Sequence, residues 1–194
     1  MIDTGNLRKL NLGCGFKKRE GYLNVDSSSH CKPDMVLNVQ KTPWPFENNA
    51  FDKVNMEHIL EHMPSDSEYF FNFFLELYRV CSDKAEVFIE CPYPFHRWQV
   101  ADFTHQKPIH FEGIQMLDKN FCRTIIKENR TKTPLAIIYD IDFRIVRYER
   151  SIDPEAPHHI EQILGNYDPK KINSYARLFT NFISAQYFWL KVVK

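Results

Sequence analysis

The sequence predicts an α/β fold, a doubly wound and mostly parallel sheet, on three observations. An apolar strand, Leu7–Leu12, runs out into Gly13-Cys14-Gly15. A second short strand, Tyr22–Asp26, follows at once and closes on a carboxylate. Strand and helix patterns then alternate through the first half, as parallel strands joined by crossovers do. At 194 residues the chain suits one domain, 1–194, and is short for two.

The remaining elements follow in order. Met35–Asn38, after Pro33-Asp34, reads as a third strand. Thr42–Asn49 holds two prolines and turn-forming asparagines and is excluded as helix. Phe51–Met56 is the fourth strand. Ser65-x-x-Glu68 is a capping box that opens a helix through Val80. Its apolar positions Phe70, Phe73, Phe74 and Leu77, widened by Phe71, Leu75 and Tyr78, make a stripe broad enough to press on a sheet. Ala85–Glu90 is the fifth strand and Phe143–Tyr148 the sixth. Asp168-Pro169 offers an N-cap and a first-turn proline for a helix carrying Ile172, Tyr175, Ala176, Phe179 and Phe182. Tyr187–Val193 is the seventh strand, and no clear crossover separates it from the sixth, so these two could pair antiparallel. Between them, 151–182 reads as an insertion whose Pro154 and Pro157 break regular structure. It could close as a lid or pair with a second copy of the chain.

Composition narrows the function classes. Twenty-five basic residues balance 25 acidic ones, so no global field gathers nucleic acid or an anionic membrane. The opening MIDTGNLRKL has no apolar leader core, and no apolar run reaches the ~18 residues of a membrane span. Five scattered cysteines without a C-x-x-C read as free thiols, and the sum predicts a cytoplasmic protein.

The glycine turn carries the chemistry. Glycine lets the backbone turn sharply and bring bare N–H groups against a ligand. A carboxylate at the tip of the next strand can accept both hydroxyls of a ribose. A dinucleotide fingerprint would put a third glycine where Lys18 stands, with the acid about 20 residues on. Asp26 follows Gly13 by only 13 residues, and no P-loop exists. The edge reads as a nucleoside site of another kind. Met56, Glu57 and His58 follow strand four at the same carboxyl edge, and Asp102 and His105 follow strand five. Pro92–Trp98 sets aromatics and a cation on a proline-stiffened loop, to wall an acceptor pocket or merely cover the sheet edge.

His58-Ile59-Leu60-Glu61-His62 also matches H-x-x-E-H, in which two imidazoles hold zinc and the glutamate activates water. That hydrolase reading explains nothing else in the chain and finds no obvious third ligand. The segment is read as the turn into a helix, and no bound metal is expected.

Taken together, Leu10–Gly15, Asn24–Asp26, Asn38, Pro43–Phe46, Phe51-Asp52, His58–His62 and Asp102–His105 resemble, in that order, the small type-11-like class I S-adenosylmethionine-dependent methyltransferases. The resemblance covers most of the chain. It implies a Rossmann-like seven-stranded sheet whose last strand runs antiparallel between the fifth and sixth. It implies S-adenosylmethionine as cofactor, leaving S-adenosylhomocysteine. Gly13, Cys14 and Gly15 would meet its methionine part, Asp26 its ribose and Asn38 its adenine, with Met56 and Glu57 beside them. Phe16 and Asn38 depart from the pattern, which usually has a small or polar residue and an aspartate there. Asparagine still accepts a hydrogen bond from an adenine amino group. The expected reaction is methyl transfer to an oxygen or nitrogen of a small molecule or glycan, with His105 as general base, Asp102 either orienting that ring or binding the acceptor directly, and His58 in reserve. A binding module without catalysis is the alternative that Asn38 suggests.

Overall fold

A computed structural model describes residues 7–194 of the chain. The first six residues of the opening segment, on which the expectation about a leader partly rests, lie outside the described residues. The strands are β1 (Lys9–Leu12), β2 (Leu23–Asp26), β3 (Met35–Val36), β4 (Phe51–Glu57), β5 (Cys81–Pro92), β6 (Phe143–Ile152) and β7 (Ile183–Val192). They form one sheet in the order β3-β2-β1-β4-β5-β7-β6. The first five are parallel, and β7 pairs antiparallel with both β5 and β6. Seven strands with an antiparallel last one is the expected architecture. The sequence places every strand but cuts β5, β6 and β7 short, because polar residues at their ends (Ser82 to Lys84, Glu149 to Ser151, Ser184 and Gln186) interrupt the apolar pattern, the last two although buried.

The helices are α1 (Ser67–Val80), α2 (Arg97–Ala101), α3 (Phe111–Gln115), α4 (Lys119–Lys127), α5 (Leu135–Ile138), α6 (Ala156–Leu164) and α7 (Ile172–Leu178). All of them come after β4, which departs from the alternation expected of the first half. The β1–β2 link carries Gly13, Gly15, Gly21 and the charged run Lys17–Glu20, with no apolar stripe to bury as a helix. α1 is capped by Asp66, whose carboxylate accepts the Glu68 N–H at 2.8 Å, and not by Ser65. Pro157 does not break structure either. It occupies the first turn of α6, where its missing N–H costs nothing. The helix after Asp168 begins as a single 3-10 turn and stops at Leu178, leaving Phe179 and Phe182 to pack from the following loop.

One face of the sheet (Leu10, Leu12, Val25, Val54, Met56, Val87, Ile89) packs against Phe73, Phe74 and Leu77 of α1 in the main core. The other face carries a row of asparagines. Asn55 donates to Asn11 at 2.8 Å, Asn11 donates to Asn24 at 3.0 Å, and Asn24 donates to Asp34 at 2.8 Å. Asn24 Oδ1 also accepts the Arg19 N–H at 2.7 Å, which fastens the loop after the glycine turn. Asn11 and Asn24 of the two ligand-like motifs thus tie β2, β1 and β4 together.

Trp44 and Phe46 are buried in the main core. Glu76 accepts the Trp44 N–H at 2.7 Å, and Arg79 donates to the carbonyls of Phe46 and Trp44 at 2.8 and 3.1 Å. These bonds fix the 38–50 segment to α1. The 151–182 insertion builds a small cluster of its own around Ala156, Ile160, Tyr175 and Phe182, against which Tyr93 packs. No helix among the described residues is long and apolar enough to cross a membrane.

Candidate active site

The chain leaves β1 toward β2 and β3, then returns to lay β4 on the other side of β1. This reversal is where open α/β sheets bind ligands, at the carboxyl ends of the strands. Gly13 and Gly15 leave β1 there with φ of +59° and +48°. The left-handed backbone favours glycine at 13, and a Cβ there would lie 2.6 Å from Ile59 Cδ1, so that side chain would have to shift. Gly13→Ala is expected to cost about 1–2 kcal/mol of stability from the left-handed backbone alone. Adding Ile59→Ala should recover the packing part of the loss and leave the backbone part, which a thermal melt of the single and double variants will separate.

Asp26 ends β2 in a fixed orientation. Oδ2 accepts the Gly15 N–H and Oδ1 the Ser28 N–H, both at 2.8 Å, leaving a lone pair on each oxygen for a diol. Asn38 Oδ1 accepts the Gln40 N–H at 2.9 Å and keeps a second lone pair. Gly13, Asp26, Ser27, Asn38, Ile59 and His62 line a cleft of about 210 Å³. Cys14 does not line this cleft. Its thiol is buried, and burial with Cys31 and Asp26 nearby pushes it up to about 11. All five cysteines are free and buried.

Four expected cofactor residues, Cys14, Gly15, Met56 and Glu57, do not line the cleft. Met56 points into the main core and is fully buried, because the β4 alternation aims it at the helix-covered face. Glu57 points to the asparagine face, where it pairs with Arg19 and hydrogen-bonds Asn55. Burial pulls the Glu57 carboxyl upward, but Arg19, Asn55 and Lys17 together hold the group below its ordinary value.

His58, next in the chain, has a left-handed backbone at φ +55°. It lines both this cleft and a neighbouring hollow of about 600 Å³ bordered by Pro92, Trp98, Asp102, Thr104 and His105. Its Nδ1 lies 3.0 Å from Glu61 Oε1 and its Nε2 3.5 Å from Glu90 Oε1. Hydrogen bonds to these two carboxylates raise it to about 9. At neutral pH the ring therefore holds its proton and acts as a hydrogen-bond donor, not as a base. Of the aromatic loop, Pro92 and Trp98 border the hollow, whereas Phe95 packs on Tyr93 and His110.

His105 is drawn to the same place from the other side. The Gln106 and Lys107 N–H groups donate to the Glu61 carbonyl at 2.7 and 3.2 Å. This sets the rings of His62 and His105 edge to face, 4.6 Å apart. Thr104 donates through its hydroxyl and its N–H to Asp102, holding that carboxyl below its ordinary value. His58, Glu61 and His62 do not share one helical face, since only a 3-10 turn, Leu60–His62, follows β4. Glu61 and His62 meet His105, a grouping that no local spacing reveals.

The chain is similar in fold to solved structures. It superposes on a SAM-dependent methyltransferase from Archaeoglobus fulgidus with a TM-score of 0.56 at 18% identity, covering 96% of this chain and 86% of the other. The corresponding values for a SAM-dependent methyltransferase from Methanosarcina mazei are 0.54, 12%, 95% and 92%. The fold is the class I methyltransferase fold. The cyclase SpnF shares it too, with a TM-score of 0.53 at 13% identity over 97% of this chain and 76% of the other. A methyltransferase fold thus hosts more than one reaction, and function has to be argued from the site. No protein-family model matches the sequence, and neither does any of the curated proteins.

Proposed function

We propose that the protein is an S-adenosylmethionine-dependent methyltransferase acting on an oxygen or nitrogen atom of a small molecule or glycan. The observation that carries this reading is His58, one residue lining both the nucleoside cleft at the strand reversal and the open hollow beside it. A cofactor seated in the first would present its reactive end to an acceptor in the second. S-adenosylmethionine supplies a methyl group activated by its sulfonium.

The chain's own residues supply position. Asp26 receives the ribose hydroxyls, Asn38 faces the adenine, and Gly13 leaves room for the arm that leads to His58. Holding donor and acceptor in line is worth up to about 7–11 kcal/mol of the barrier. Trp98 and Phe103, both exposed at the hollow, offer faces to a planar or sugar-like acceptor. The acceptor's proton is managed at the Asp102–His105 side of the hollow. The 151–182 insertion is tied to the 92–98 loop through His96–Asp153 and Arg97–Asn181, which supports reading it as a lid that acts through that loop. A binding module without catalysis would have no use for a hollow that shares a residue with the cofactor cleft. Neutral net charge disfavours a nucleic acid acceptor, and five free thiols fit a reducing, cytoplasmic compartment.

Calorimetric titration tests the reading. S-adenosylhomocysteine should bind and NAD should not. Asp26→Ala should weaken the former by about 1–3 kcal/mol, the cost of losing hydrogen bonds to a charged group. Unchanged affinity in that variant would remove Asp26 from the site, and no binding to the parent protein would remove the methyltransferase reading.

A further inference from the structure

Glu61, His62 and His105 each turn one ligating atom toward the others, and these atoms all lie within 4.8 Å. The hydrogen bonds around them fix which atoms face inward. The His105 Nδ1 lies 3.3 Å from the Gln99 carbonyl, which can only accept, so Nδ1 carries the proton and Nε2 the lone pair. His62 follows by a longer chain. Thr104 gives its hydroxyl proton to the Asp102 carboxylate at 2.7 Å, so its oxygen accepts from His62 Nδ1 at 2.9 Å. His62 Nε2 is therefore a lone pair as well.

Glu61 adds a carboxylate that is fully buried. Its Oε1 is taken by His58, while Oε2 is buried with no partner among the described residues. A buried carboxylate oxygen without a partner is costly. Asp102 Oδ2 stands 3.7 Å from His105 Nε2, too far for a shared proton, and adds another acceptor. One ligating atom from each of the three residues lies within 4.8 Å of the others, and with both Nδ1 atoms hydrogen-bonded outward, a cation held by the two Nε2 lone pairs and Glu61 Oε2 would satisfy all three at once.

We propose that Glu61, His62 and His105 bind one divalent first-row transition-metal ion, with Asp102 beside them. Two histidines and one carboxylate leave coordination positions open. Thr104 and the Gln99 carbonyl are the outer partners that orient the two rings. Metal–ligand bonds of about 2.0–2.2 Å ask the three side chains to draw together on binding. The site differs from the H-x-x-E-H pattern, because His58 is engaged by Glu61 and Glu90 and His105 takes its place. It also reverses the expectation of a metal-free protein, and makes His105 a ligand instead of a base.

His62 lines the cofactor cleft and His105 the acceptor hollow, so the ion sits between them. Resting on the methyltransferase reading, this placement favours an acceptor that offers a hydroxyl oxygen, whose acidity a bound cation raises.

The experiment uses the full chain, stripped with a chelator and titrated with Co²⁺ alone, without cofactor. One Co²⁺ per chain is expected, with visible ligand-field absorption and a higher melting temperature. Thr104→Ala should weaken Co²⁺ binding by about 10–100-fold, as outer partners do, and Glu61→Gln and His62→Gln by more. Absence of uptake, or uptake that both His62→Gln and Thr104→Ala leave unchanged, overturns the proposal. Titration of metal-free protein and the same variants with S-adenosylhomocysteine keeps the two readings apart. Cofactor binding without Co²⁺ uptake defeats the metal site alone, and Co²⁺ uptake without cofactor binding defeats the methyltransferase alone.

Discussion

His105→Ala should lower methyl transfer by about 10²–10⁴-fold, the scale on which a positioned proton-transfer group contributes. The S-adenosylhomocysteine affinity should stay within a few-fold of the parent. The asymmetry follows from where the ring sits. His105 borders the proposed acceptor hollow and does not line the cleft of Asp26 and Asn38, the proposed diol and adenine partners. The loss is expected whether the ring takes the acceptor's proton or holds a cation that acidifies it, because both use Nε2. Rates of S-adenosylhomocysteine formation on an acceptor that the parent enzyme turns over, set beside calorimetric affinities, give the check. The kcat should carry the loss. Turnover within a few-fold of the parent would place His105 outside the chemistry, and a parallel loss of cofactor affinity would mean that the ring supports the whole edge of the sheet.

How far the sequence discloses this site depends on how local each residue's role is. Gly13, Gly15 and Asp26 are legible because the requirement is local, a sharp turn and a strand-end carboxylate within one β-loop-β unit. Strand order is legible through the family resemblance, and the antiparallel β7 follows from the missing crossover before it. Met56 and Glu57 mislead because proximity in sequence to the carboxyl edge does not fix direction. Strand alternation sends one into the core and the other to the asparagine face. The short helices over 97–138 escape because none is longer than nine residues, and their apolar positions serve packing against different neighbours. The Glu61–His62–His105 grouping escapes for another reason. It depends on backbone bonds from Gln106 and Lys107 to Glu61 across more than 40 residues, and on a carboxylate whose burial no local pattern announces.

His96→Ala should destabilise the protein by about 3 kcal/mol, the low end for removing one partner of a buried ion-pair-like contact. The ring is buried and joins two segments far apart in sequence. Its Nδ1 accepts the Trp98 N–H at 3.2 Å, so Nε2 carries the proton and donates to Asp153 Oδ2 at 2.9 Å. Asp153 starts the insertion, and the Asn181 side chain near the insertion's far end accepts the Arg97 N–H at 2.5 Å. The clamp therefore fastens the insertion at both ends to the loop that carries Trp98 over the acceptor hollow. Burial pushes the Asp153 carboxyl up, but the Glu155 N–H and the His96 ring outweigh it and hold the group below its ordinary value. A depressed carboxyl contributes stability above its unfolded value, about pH 4, and loses it as pH falls through the folded one. The clamp should accordingly be intact at neutral pH and weaken only in acid. In a chain of this size about 3 kcal/mol corresponds to a drop of about 6–12 °C in melting temperature. His96→Gln, which keeps a donor, should recover part of it. Limited proteolysis of His96→Ala should open new cuts between 153 and 182 before the sheet unfolds. A melting temperature within a degree or two of the parent, with no new cuts, would show that the insertion is held by its own apolar cluster alone.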